Sequence, residues 1–402
     1  MAKPILISIS PNTDSKDLVT AVKTIVRPNT WQQGTQLNLL SKQLTELLKS
    51  QHVWLFNSAR NALELGLKSL DLNKTDEVLC QAFTCVAIPN AINWAGAKSV
   101  FVDTRKNGFN LSLKDLKTKI TKNSKVLIIQ HTFGHPDKLK AIKKICQKHN
   151  LILIEDCAHT LGVKLDQKPI GSFGDLTILS FGRDKAISSV FGGALLTNSR
   201  PLANKINKHY SKLKYPSRFW IFKQLLHPII MTMIKPIYFS IGKYLIFLYQ
   251  KSGLLSWPVS KHEKNNQRSL KIKKLPNALA TLALTQLDKL TSINQTRLQI
   301  TSHYQTKFKV PNLKYYPLLR FPLLVNNPEK LISIAKDNQI LLGDWYRPII
   351  APQGVNLKRI GYRQDSCPQA EAVSRQVINL PTYISLKQAN RIINLVSNYD
   401  QS

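Results

Sequence analysis

Leu151 to Asn198 reads LILIEDCAHTLGVKLDQKPIGSFGDLTILSFGRDKAISSVFGGALLTN, and its punctuation decides the fold. Three short apolar runs, LILIED, LTILS and GALLTN, have the length and β-branched content of strands and are bounded by polar or glycine-containing turns. The first ends on Asp156, with His159 just past it. The second ends on Ser180 and is followed by a turn carrying Lys185. The pair Gly192–Gly193 then returns the chain into the third run.

Upstream of this stretch the same alternation recurs. Apolar residues fall at helical spacing from Ser15 to Ile25 and from Leu37 to Leu48, with Pro28, Asn29 and Gly34 as the loop between. HVWLF, His52 to Phe56, predicts a strand that feeds a buried helix carrying Ala62, Leu63, Leu65, Leu67 and Leu70. Asn57 and Ser58 stand at that helix start, where they serve as an N-cap and where free backbone N–H groups can hold a phosphate. EVLCQAF, a helical stretch through Pro89 to Trp94, and KSVFVDT follow. Then come a helix over Leu113 to Ile120, the strand KVLIIQHTFG and a helix over Asp137 to His149. Repeated alternation of this kind predicts an α/β domain with a mainly parallel sheet, whose ligand sits beyond the carboxyl ends of the strands. Phe83, His131, Asp156 and His159 all fall at or just past such ends.

Downstream the character changes. Arg218 to Tyr249 is apolar and aromatic, interrupted by Lys223, Lys235 and Lys243, and no window in it reaches the ~20 apolar residues that span a bilayer. Two readings stand for 218–249: amphipathic helices lying in a membrane interface, or a helical insertion packed on its own domain or a partner subunit. KHEKNNQRSLKIKK forms a basic linker up to Lys274. A long helix is predicted from Asn277 through Leu290 to Phe308, followed by strands and helices of an α+β unit. The expected division is a large domain over 1–262, with the insertion at about 201–260, and a smaller C-terminal domain over 263–402.

The 402 residues, 43% hydrophobic, suffice for two packed units and exclude a disordered or fibrous chain. Formal net charge is +34, from 57 Lys plus Arg against 23 Asp plus Glu. Such a field attracts phosphates, but the lysines are scattered along the chain, so charge by itself names no partner. Five cysteines, Cys80, Cys85, Cys146, Cys157 and Cys367, have no metal-ligand spacing and suggest a reducing compartment. The first residues, MAKPILISISPNTDSKD, are too polar after a short apolar run for a signal peptide, so a cytoplasmic location is expected.

A carboxylate and a lysine at adjacent strand ends are the pair that pyridoxal phosphate chemistry requires. Asp156 can keep the pyridine nitrogen protonated, so that the ring withdraws electrons, and Lys185 can form the Schiff base and then serve as general base. His159 can hydrogen-bond Asp156 or the cofactor ring, and Ser180 can donate to the phosphate.

NSARNALELGL, DEVLCQAFTCVAIPNAINWAGAKSVFVD, EDCAHTLG, IGSFGDLTILSFGRDKAISSVFGGALLTN, LATLALTQLDKL and CPQAEAVSRQVINLPT together resemble, in that order, the signature segments of the DegT/StrS family of sugar aminotransferases. The resemblance implies pyridoxal-phosphate fold type I: a large domain whose mainly parallel sheet of the seven-stranded type lies between helices, with a smaller α+β domain. It implies catalytic roles for Lys185, Asp156 and His159, with Ser58 and Ser180 at the cofactor phosphate. Departures cluster in the cofactor shell. Ala59 and Arg60 match a Gly-Thr pair that usually holds the phosphate, and Arg60 could supply charge instead. Cys85 matches the aromatic residue that usually stacks on the pyridine ring, with Phe83 as a possible substitute. Lys274 falls near an Asn normally lent to the phosphate by the second subunit of a homodimer.

The resemblance further implies transfer of an amino group, commonly from glutamate, to a keto group of a nucleotide-linked sugar. It also implies a homodimer with shared active sites. Family members acting as dehydratases carry His in place of the lysine, and Lys185 argues against that branch. Another pyridoxal-phosphate reaction, or a non-catalytic homologue that binds membrane or nucleic acid, are the alternatives. No nucleic-acid partner and no metal are expected, and the interfacial reading of 218–249 implies peripheral attachment at the inner face of a membrane.

Overall fold

The computed structural model describes residues 3–311 and 313–400. Strands run His52–Phe56, Gly193–Thr197, Leu176–Ser180, Ile152–Asp156, Ser124–Gln130, Glu77–Gln81 and Lys98–Val102, in that spatial order, as one seven-stranded sheet. All neighbours pair in parallel except Gly193–Thr197, which runs against both of its partners. The mainly parallel α/β architecture expected from the sequence is therefore present. Because side chains alternate across a strand, Val78, Cys80, Val126 and Ile128 enter the core on one face, while Leu79, Leu127 and Ile129 enter the core on the other.

Helices cover both faces. Ala59–Lys68 buries Ala62, Leu63, Leu65 and Leu67 on the first face, and Thr35–Leu48 buries Leu40, Leu44 and Leu48 on the second. Ser58 caps the former, its Oγ accepting from the Asn61 N–H at 3.3 Å. Gly193 is required beneath that cap, since a Cβ there would lie 2.6 Å from the Ala59 backbone nitrogen.

The segment after the sheet calls for a correction. One helical run, Arg218–Lys251, 34 residues long, is long and apolar enough by length and composition to cross a membrane, contrary to the expectation that no window suffices. The run is not straight. An unbent helix of this length would extend ~51 Å, yet Lys223 Nζ bonds the Gly253 carbonyl at 3.1 Å and Gln224 Nε2 bonds Ser256 Oγ at 3.1 Å. The outgoing helix Arg218–Ile234 reverses through a tight turn at Lys235–Ile237 and a wide one at Tyr238–Gly242, and Lys243–Lys251 returns. Pro236 removes a helical donor at the bend, and Gly242 packs so closely that a Cβ would sit 2.9 Å from Ile234 Cγ2. Met231, Ile234 and Leu255 hold the hairpin together in a small core of their own. Its root is fixed by Ile221 and Leu225, which enter the large core, and by Phe222 stacked on Trp31 at 6.1 Å.

The expected long helix is two, Asn277–Leu287 and Leu290–Phe308, separated by Asp288 and Lys289. Ala278, Leu279 and Leu282 of the first pack into the core beneath the sheet. Beyond them lies the α+β unit, with Arg320–Leu324 antiparallel to Val377–Pro381 and helices Pro328–Asp337, Pro368–Gln376 and Leu386–Asp400. The N-terminal residues Ile5–Leu6 join this unit by pairing in parallel with Ile340–Leu341.

Candidate active site

The carboxyl ends of the central strands open into a cavity of about 230 Å³. Ser58, Ala59, Arg60, Cys85, Asp156, His159, Ser180 and Lys185 line it, so eight of the ten residues singled out from the sequence come together. Phe83 and Lys274 do not line it. Phe83 is fully buried behind the wall, edge-on to Tyr346 at 5.3 Å. Lys274 lies over the rings of Tyr210 and Tyr215, its Nζ 5.2 and 5.9 Å from their centroids. His131 is buried as well, its Nε2 3.2 Å from Glu155.

The centre of the cavity is a pair of bases. His159 Nδ1 accepts from the Phe133 N–H at 3.1 Å, and His159 Nε2 lies 2.9 Å from Lys185 Nζ. With Nδ1 accepting, these partners assign the proton of a neutral ring to Nε2, which then donates to the lysine nitrogen. That nitrogen can accept only as a neutral amine. Burial, with Lys185 and Arg320 close by, holds His159 well below the usual histidine range. Burial, helped by Arg320 and opposed by Asp156, likewise pulls Lys185 down. The hydrogen-bond geometry points to an uncharged, nucleophilic lysine, and burial shifts Lys185 in that direction.

Asp156 closes the strand Ile152–Asp156. Burial pushes its carboxyl up, against the pull of Lys185 and of the Ala158 N–H at 3.0 Å. Among the described residues that N–H is the one hydrogen bond to its carboxylate, so an oxygen remains for a cationic ring nitrogen.

Arg60, considered from the sequence as a source of charge for a phosphate, is already committed. Its guanidinium forms an ion pair with the buried Glu263 and donates to the Pro258 carbonyl at 2.9 Å. What it leaves is the helix start itself, where Ser58, Ala59 and Arg60 present backbone to the cavity. Arg183, in the turn before Lys185, lies over the Phe191 ring at 5.2 Å, its Nε and Nη2 are buried without a hydrogen-bond partner among the described residues, and burial pulls the group down to about 10. Arg320 adds a second guanidinium, its Cζ 3.5 Å from the Trp345 ring centroid and Nη2 3.4 Å from the Asp184 carbonyl. The lining therefore holds Arg60, Arg183, Lys185 and Arg320 against Asp156 and Asp184.

Arg183, Arg320, Trp345 and Tyr346 had not been singled out. Three of them come from residues 320–346, a stretch that lies outside the signature segments of the C-terminal part. The available signal was Arg320 itself, a lone cation inside the apolar run YYPLLRFPLLV.

These residues fit pyridoxal phosphate. Asp156 offers a buried carboxylate with an oxygen left over for the pyridine nitrogen, the start of Ala59–Lys68 and the guanidinium of Arg183 suit a phosphate, and Lys185 is the amine that an aldehyde needs.

Comparison with known proteins gives a consistent result. The model of the DegT/DnrJ/EryC1/StrS aminotransferase family matches residues 12–221 and 246–397, leaving out most of the helical hairpin. A GDP-perosamine synthase of Vibrio cholerae is 32% identical over 173 residues, 43% of this chain and 47% of that protein. The chain thus spans about half the length of that relative, and 49% of a second GDP-perosamine synthase, from Escherichia coli O157:H7. The spore coat polysaccharide biosynthesis protein SpsC of Bacillus subtilis is 26% identical over 88% of this chain and 86% of its own. Among solved structures, Helicobacter pylori PseC, an aminotransferase involved in the biosynthesis of pseudoaminic acid, superimposes with a TM-score of 0.75 at 21% identity, covering 98% of this chain and 99% of that one.

Proposed function

The chain belongs to the DegT/DnrJ/EryC1/StrS aminotransferase family, and from that premise we propose that it uses pyridoxal phosphate to transfer an amino group from glutamate to a keto group of a nucleotide-linked sugar in polysaccharide or glycan synthesis. The observation that carries this reading is the 2.9 Å contact between Lys185 Nζ and His159 Nε2 beside the buried Asp156. The cofactor, when bound, supplies an electron sink. Asp156 holds a proton on its ring nitrogen, an arrangement that opposite charge stabilises despite burial. Lys185 Nζ, kept neutral, takes and returns the proton of the reacting carbon, and His159 Nε2–H orients it. Arg183 and Arg320 supply positive charge for the anionic groups of cofactor and substrates. Pro258, Val259, Trp345 and Tyr346 wall the cavity and limit water. The nucleotide and polysaccharide in the relatives' names support the substrate class.

We also infer a homodimer, in which Lys274, which does not line its own chain's cavity, serves the partner's site. The enzyme works in the cytoplasm at the inner face of a membrane.

The test is spectroscopic. Purified protein loaded with pyridoxal phosphate should show the visible absorbance of the lysine-bound cofactor, and glutamate alone should bleach it, while Lys185→Ala should show neither band nor bleaching. A band that survives every amino donor tried would overturn the transaminase reading.

A further inference from the structure

The hairpin Arg218–Lys251 is only half used by the fold. Its root is packed: Ile221, Leu225, His227 and Met231 are buried, and His227 Nε2 meets Ser10 Oγ at 2.9 Å. Its tip is not. Met233 is 72% exposed, Ile241 57%, Tyr244 64%, Phe247 57% and Leu248 56%, with Ile237 at the bend between the two arms. Ile241 at the end of the wide turn and Tyr244, Phe247 and Leu248 on the returning helix recur three and four residues apart, so they share one outward face. Clustered exposed apolar side chains of this size, unlike single ones, mark an interaction surface.

The charge around the tip selects the partner. The hairpin 218–251 itself contains no Asp or Glu and five cations, Arg218, Lys223, Lys235, Lys243 and Lys251. Lys243 and Lys251 flank the apolar face, Lys243 Nζ lying 4.9 Å from the Tyr244 ring. A second copy of this surface would set like charge against like. An anionic lipid surface complements it: the apolar side chains enter the acyl boundary while tyrosine, Trp257 and lysine stay at headgroup level. Reversal of the run brings both arms back to the same side of the body, which suits insertion into one leaflet rather than a crossing. The family model passes over residues 222–245, so it leaves out the bend and most of the outgoing arm, while Phe247 and Leu248 fall inside the match.

We propose that the tip of the hairpin, Met233 to Leu248, docks the enzyme on an anionic bilayer surface. This inference is independent of the reaction assigned above. It is tested by sedimenting the full-length, cofactor-loaded protein with sucrose-filled vesicles, either pure phosphatidylcholine or containing 30% phosphatidylglycerol. The wild type should pellet with the anionic vesicles, at least tenfold more weakly with neutral ones, and progressively less as salt rises. The double variant Ile241→Asp, Phe247→Asp should lose at least tenfold in partitioning while keeping the wild-type melting temperature and cofactor absorbance, because both positions are exposed. Pelleting unchanged in that variant, or absent in the wild type, would overturn the proposal. So would a lipid-free change of oligomeric state in the variant, which would make the tip an interface between copies.

Discussion

At the scale of single residues, the depressed Lys185 makes a prediction with a definite sign. A lysine whose pKa falls below its ordinary 10.5 keeps its neutral, reactive form at pH values where an exposed lysine is protonated. In cofactor-free protein, amine-directed labelling of Lys185, followed by peptide mass spectrometry, should therefore reach its plateau at a lower pH than labelling of a free lysine peptide added as a reference. Coincident titration of the two would refute the neutral-amine assignment. Because that amine accepts from His159 Nε2–H, the same logic makes His159→Phe a positioning variant: the cofactor should still bind through Lys185, while the rate of bleaching by glutamate falls by about tenfold or more. Gly193 offers a purely steric test. Its Cβ would meet the Ala59 nitrogen and Cα at 2.6 Å, backbone atoms that cannot swing aside. Gly193→Ala should cost about 2–3 kcal/mol and lower the melting temperature, as overpacking against fixed atoms does.

At the scale of elements, the strands and their order of chemistry were legible, and the reason is local. His52–Phe56 and Ile152–Asp156 are short β-branched or aromatic runs bounded by turn residues, so period and punctuation identify them. Asp156 was legible because it ends such a run, and Lys185 because it lies in the turn just past another. Arg320, Trp345 and Tyr346 were not, because they reach the cavity through the packing of a separate unit on the sheet, which no local spacing encodes. The hairpin was half legible. Its apolar content suggested either a buried insertion or an interfacial helix, and the structure assigns burial to the root and exposure to the tip, since Pro236 and Gly242 permit a reversal that a window average cannot register. This division predicts opposite outcomes along one element. Leu225→Ala, at a fully buried position, should destabilise by about 2–5 kcal/mol, whereas Leu248→Ser, at an exposed one, should leave the unfolding midpoint within about 0.5 kcal/mol. Equal effects in chemical denaturation would mean that root and tip are not distinct.

At the scale of the whole molecule, the segment from Ile5 to Thr13 is the tie between parts that the sequence reading kept separate. Its first residues pair with Ile340–Leu341 of the C-terminal unit. Ser10 and Thr13 carbonyls accept from Lys235 of the hairpin at 2.6 and 3.3 Å, and the Ser10 N–H reaches Asp184 Oδ1 at 3.3 Å. Asn12 then holds the catalytic turn directly, its Nδ2 donating to the Lys185 carbonyl at 2.9 Å and the Ala186 carbonyl at 3.0 Å, while its Oδ1 accepts from the buried Arg297 at 3.1 Å. Nothing in ISISPN marks a residue with that duty, since an Asn after a proline reads as an ordinary turn. Asn12→Ala would leave two carbonyls and a guanidinium short of partners in a buried place, and Arg297 Nε already has none. The expected cost is about 2–4 kcal/mol of stability, by the price of unsatisfied buried polar groups. Because the lost bonds are to the backbone of the lysine turn, cofactor affinity should fall together with stability, as titration of the visible band would show. An Asn12→Asp variant separates the two contributions: its carboxylate keeps and strengthens the bond to Arg297 but cannot donate to the Lys185 and Ala186 carbonyls. It should therefore retain more stability than Asn12→Ala and still bind the cofactor weakly, and wild-type cofactor affinity in it would show that the turn is held from elsewhere.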